Sequence, residues 1–128
     1  MVGYCTFTLT MFNFEKLEVW QKAIVLADVI YAHTRSFPAE ERFGLTNQMR
    51  RSIVSVSSNI AEGSSRSSKI DFGRFVEIGT GSVFELVSQS FVARRQNFLS
   101  EENFHTIYGS ADEIGRMLSG LRASLEQR

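Results

Sequence analysis

Residues 57–74 read SSNIAEGSSRSSKIDFGR, and the reading of this run decides the fold. Serines and glycines with two arginines and a lysine can cradle phosphate, link two domains, or turn one helix into the next. The run lacks the glycine pair followed by Lys-Ser/Thr that a phosphate-binding loop requires, and it is too short for a domain linker. Before it, Leu45, Met49, Ile53, Val56 and Ile60 recur at helical spacing, and Gly63 falls where a left-handed C-cap glycine belongs. After it, Ser68 followed by Asp71 resembles a capping box ahead of the apolar Phe72, Phe75, Val76 and Ile78. The run therefore predicts a tight turn between two antiparallel helices.

Working outward, the same periodicity recurs on both sides. Phe104, Ile107, Ala111, Ile114, Leu118, Leu121 and Leu125 follow 3-4-3-4-3-4 spacing. With Ser100 as N-cap, they predict a last helix over about 101–126. A first helix is expected from Leu17, Trp20, Ile24, Ala27 and Tyr31, its apolar face widened by Val19, Ala23, Leu26 and Ile30. It must stop before Phe37-Pro38, because the residue before a proline is pushed out of helical geometry. Four helices with short connections specify an all-α, antiparallel up-down-up-down four-helix bundle over residues 14–128. Residues 1–13 are expected to form an N-terminal tail, its first ten residues uncharged and too short to span a bilayer.

Composition narrows the chemistry. The chain has 128 residues, no net charge and one cysteine, Cys5, which fits a reducing cytoplasm and cannot form an internal disulfide. Glu102 and His105 form a Glu-x-x-His pair of the kind that supplies iron ligands in bundles. Such sites need a second pair, and His33, the only other histidine, has Ile30 three positions before it. No metal, no cofactor and no catalytic nucleophile is expected, since the serines have no histidine at matching depth. Gly79-Thr80-Gly81-Ser82 lies inside a helix, which excludes a dinucleotide fingerprint. Each of these glycines costs about 1 kcal/mol in a helix interior. A hairpin pivoting near residue 65 would set Ser52 opposite Gly79 and let two backbones approach.

Basic residues carry the remaining signal. Eleven arginines against three lysines favour bidentate recognition of carboxylate or phosphate. Arg66, Lys69 and Arg74 are expected to cluster at the hairpin end of the bundle as an anion site, aided by the free N–H groups that open the third helix. Arg50, Arg51, Arg94 and Arg95 complete the candidate nucleic-acid set. Glu85 lies among apolar neighbours, and a half-buried carboxylate needs a partner; Arg50 or Arg51 is the expected one.

The segments FEKLEVWQKA (14–23), IYAHTRSFPAEERFGLTNQMRRS (30–52) and SNIAEGSSR (58–66), with Gly81, Ser82 and Glu85, resemble the four helix bundle protein family. Its founding members are encoded in intervening sequences within bacterial large-subunit rRNA genes. The resemblance covers about residues 12–125 and implies a small cytoplasmic bacterial protein without known enzymatic activity. It also implies a fold similar to the accessory protein of diversity-generating retroelements, a pentameric bundle that binds nucleic acid. Two functions are thus expected to compete: a nucleic-acid-associated accessory protein, and a scaffolding oligomer that binds protein alone. Helices one and three carry more apolar residues than one buried face needs, which predicts self-association; the resemblance implies that the partner count is five, a ring-like homopentamer.

Overall fold

The computed structural model describes residues 12–126; the expected tail of residues 1–13, with Cys5, lies outside them except for Phe12 and Asn13. All regular structure among these residues is helical: α1 (Glu18–Thr34), α2 (Leu45–Ser64), α3 (Lys69–Arg95) and α4 (Glu101–Leu125), with short 3₁₀ turns at Asn13–Lys16 and Ala39–Glu41. Asn13 is held to the end of α2, its side-chain amide donating to the Ser64 carbonyl at 3.2 Å. Each helix packs on two neighbours, α1 and α3 each lying between α2 and α4, with the α2–α3 seam the most extensive. This is the expected antiparallel bundle.

The helix ends show why the chain turns where it does. Ser68 Oγ accepts the Asp71 N–H at 3.1 Å and Ser100 Oγ accepts the Asn103 N–H at 3.0 Å, so both predicted caps form. Between α3 and α4 the chain makes a Schellman turn that no glycine announced. Asn97 takes φ 65°, in the left-handed region. Its N–H donates to the Arg94 carbonyl at 3.1 Å, and the Phe98 N–H donates to Ala93 at 2.9 Å. The Phe98 ring then packs on Phe37 of the α1–α2 connection, with centroids 5.5 Å apart.

Gly63 plays a different part from the expected one. It has no positive φ and lies within α2, whose end is capped by Ser65 in right-handed geometry. A Cβ there would stand 2.8 Å from Phe75 Cβ and 2.9 Å from Phe72 Cδ1. Gly63 is a contact glycine that admits the two aromatic rings of α3 against the α2 backbone.

The core face of α1 also differs from the expected one. Val19, Ala23, Leu26 and Ile30 are buried, while Leu17, Trp20 and Ala27 pack at its edge and Tyr31 is 39% exposed. Both stripes satisfy the helical period. Side-chain width decides between them, because Ala23 lets α1 close on its neighbours whereas the indole of Trp20 fits only at the rim, edge-on to Phe14 at 4.8 Å. In α2 the predicted stripe holds: Met49, Ile53, Val56 and Ile60 are fully buried.

The α2–α3 register is shifted from the expected pairing. Gly79 faces the Val56 carbonyl and Asn59 Cβ, which would stand 3.8 and 3.7 Å from a Cβ at that position. Ser52 instead donates to the side-chain oxygen of Gln89 at 3.0 Å, and Ser55 and Ser82 share a hydrogen bond of 2.8 Å. The cause is that α2 runs through Gly63 rather than ending at it, which moves the pivot of the hairpin toward α3. Small polar side chains line this seam, so the two helices approach closely and their hydroxyls remain satisfied.

Candidate functional site

Helix α3 is turned partly inside out. It buries Gly73, Val76, Gly79, Ser82, Val83, Leu86, Ser90 and Ala93, mostly small residues. Large ones point outward: Ile70 is 70% exposed, Ile78 55%, Phe84 71% and Phe91 47%. An apolar helix face in water has an unfavourable hydration free energy that only burial removes.

Two grooves flank this helix. Between α3 and α4 runs an apolar one of about 720 Å³, floored by Val83, Val87 and Ala111 and walled by Phe84, Phe91 and Tyr108. Its aromatic end is ordered by ring contacts, Phe91 lying 4.8 Å from Phe104 and 6.1 Å from Tyr108. Between α2 and α3 lies a polar groove of about 480 Å³, lined by Gln48, Arg51, Ser52, Ser55, Glu85 and Gln89. The apolar groove was not anticipated from the residues. Tyr108 lies one position off the core stripe of α4, and that offset was the available signal.

The basic candidates separate into bound and free. Arg50 is fastened to α1: its Nε donates to Thr34 Oγ1 at 2.9 Å and its guanidinium lies 4.5 Å over the Tyr31 ring. Arg66 pairs with Glu62 at 3.1 Å and covers the Phe75 ring at 4.7 Å. Arg74 pairs with Asp71 at 3.3 Å and Arg94 with Glu101 at 3.5 Å. The remaining three, Arg51, Lys69 and Arg95, are exposed and form no ion pair within 4 Å among the described residues. The hairpin end thus holds Arg66 and Arg74 against its own carboxylates, with Lys69 beside them.

The expected pair between Glu85 and Arg50 or Arg51 does not form. Glu85 is exposed rather than half-buried, because the outward turn of α3 carries it away from the core. It shares the polar groove with Arg51 without an ion pair, while Arg50 faces α1. A solvent-exposed ion pair occurs elsewhere, unforeseen: Arg122 of α4 donates to Glu77 of α3 at 2.8 Å and reaches Glu126 at 3.1 Å. Donating this hydrogen bond to Glu77 raises the Arg122 pKa further above its already high ordinary value. Its guanidinium also lies 3.0 Å from where a Cβ of Gly73 would stand.

His105 stands 3.6 Å from Glu101 on the exposed start of α4. Among the described residues no three His, Cys, Asp or Glu side chains gather as a metal would need. None of the described helices is long and apolar enough to cross a membrane.

Comparison with protein families matches residues 15–120 to the model of the 23S rRNA-intervening sequence protein. The chain belongs to that family. The matched span carries every basic candidate and both grooves. Among solved structures, a protein of unknown function from the S23 ribosomal protein family of Bacteroides thetaiotaomicron superposes with a TM-score of 0.73 at 22% identity. The match covers 81% of this chain and 97% of that one. At that identity the likeness establishes the fold alone. Comparison with curated proteins gives no match.

Proposed function

We propose that this member of the 23S rRNA-intervening sequence protein family is a non-enzymatic assembly module of the bacterial cytoplasm. It associates with copies of itself into a ring, most simply a pentamer. The observation that carries this reading is the inverted α3, which spends its small residues inside and leaves Phe84 and Phe91 outside, walling an apolar groove. Contiguous exposed apolar surface marks a partner site. Five as the number of copies is the count implied by the family resemblance read from the sequence.

Size exclusion with light scattering tests it. Five chains of 14.5 kDa predict a single species of roughly 70 kDa. A monodisperse peak at the mass of one chain at micromolar concentration overturns the reading, and a dimer removes the ring.

A second reading, in which the assembled ring also holds RNA or DNA, is supported by Arg51, Lys69 and Arg95, the three candidate cations that form no ion pair among the described residues. Repetition around a ring would multiply three charges per chain into a sizeable field. Binding by phosphate contacts weakens steeply with salt. Replacing all three by alanine is expected to abolish that salt dependence while leaving assembly intact; unchanged binding by the triple variant removes this reading.

A further inference from the structure

We propose that the polar groove between α2 and α3 binds a small zwitterion, an α-amino acid with a polar side chain, held between Arg51 and Glu85. The site goes beyond self-assembly and does not depend on it. It begins in the sequence, where Gln48, Ser52, Ser55 and Asn59 run at 4-3-4 spacing beside the apolar stripe of α2. Packing α3 along such a row buries hydroxyls and amides, which is tolerated only when each finds a partner. The inner ones do. Ser52 donates to Gln89 Oε1 at 3.0 Å, Ser55 and Ser82 share a hydrogen bond of 2.8 Å, and the Asn59 amide donates to the Ser55 carbonyl at 2.8 Å. The floor of the groove is therefore fixed before any ligand arrives.

The rim is different. Gln48, Arg51 and Glu85 line the same groove, and none of them has a hydrogen bond or an ion pair among the described residues. Gln89, whose side-chain oxygen accepts from Ser52, keeps its NH2 group without a partner among them. Because Ser52 meets Gln89 and Ser55 meets Ser82, Glu85 falls between these two contacts, about one helical turn along the groove from Arg51. Opposite charges thus stand on opposite walls, offset and unpaired.

The lining selects its ligand by exclusion. None of the six side chains is aliphatic or aromatic, so an apolar molecule finds no surface to bury against. A simple anion such as phosphate is repelled by Glu85, and a simple cation by Arg51. A molecule with a carboxylate and an ammonium on one carbon satisfies both walls: the guanidinium donates two parallel hydrogen bonds to the carboxylate, and Glu85 accepts from the ammonium. Gln48 and Gln89 remain for a polar side chain. The volume, about 480 Å³, lies in the range of small-molecule sites.

The test uses the full chain and ligand-observed nuclear magnetic resonance with saturation transfer, which reads weak binding to a large protein. L-glutamine is the probe, and acetate, methylammonium and inorganic phosphate are the controls. Transfer to L-glutamine is expected, and none to acetate or methylammonium, each of which carries half of the charge pattern. Arg51→Gln and Glu85→Gln should each raise the dissociation constant at least about tenfold, the loss of one charge-assisted contact. Both positions are exposed, so circular dichroism and melting should stay as in the wild type. Absence of transfer to L-glutamine, equal transfer to a half-ligand, or wild-type affinity in either variant overturns the inference. Tighter binding of phosphate than of L-glutamine overturns it as well and gives Arg51 to the nucleic-acid reading. Light scattering keeps the site distinct from assembly: if Glu85→Gln loses the wild-type oligomer, the groove is a contact between copies and the inference fails while the self-assembly reading stands.

Discussion

At the residue scale, one methyl group has opposite effects at two helical glycines. At Gly63 a Cβ meets Phe75 Cβ at 2.8 Å, and both atoms are tied to helix backbones that cannot easily part. Gly63→Ala is expected to destabilise by about 1–3 kcal/mol, the range for overpacking. At Gly120 nothing lies within 4 Å, so Gly120→Ala is expected to stabilise by up to about 1 kcal/mol through helix propensity alone. Urea denaturation of the two variants checks the contrast, and equal signs would contradict the contact role of Gly63. Ile53, fully buried in α2, gives the third measurement: Ile53→Ala should cost about 2–5 kcal/mol. A loss below about 0.5 kcal/mol would place the α2 stripe in solvent.

At the element scale, the turn from α3 to α4 depends on one left-handed residue. An L-residue other than glycine or asparagine strains at φ 65°, so Asn97→Ala is expected to lose about 1 kcal/mol and Asn97→Gly to lose nothing. If thermal melts show the two variants alike, the Schellman turn does not hold this connection. Helix α3 carries the other lesson of this scale. Its burial of Gly79 and Ser82 lets α2 approach closely, and close approach leaves no room inside for Phe84 or Phe91. The outward aromatics are thus a geometric result of the tight α2–α3 seam.

At the scale of the whole molecule, an assembly and a monomer respond differently to dilution. If the α3/α4 groove is filled by a second copy, folding and association are linked, and the melting midpoint should rise with protein concentration. Calorimetry across a hundredfold range checks this. A constant midpoint contradicts assembly.

Much of this architecture is legible in the residues. The 3-4 spacing of α2 and α4, Pro38, and the caps Ser68 and Ser100 determine four helices and their ends, because helical period, proline geometry and cap hydrogen bonds act within a few residues. The turn at 65–68 is likewise local. Three features were decided only by tertiary packing. Two apolar stripes on α1 share one period, and the width of Trp20 against Ala23 chooses between them only when neighbours press on both. The place of Gly63 and the α2–α3 register depend on how deeply Phe72 and Phe75 seat against α2. The apolar groove exists because α3 and α4 set Phe91 beside Tyr108, 17 residues further along the chain, a proximity that no local spacing encodes.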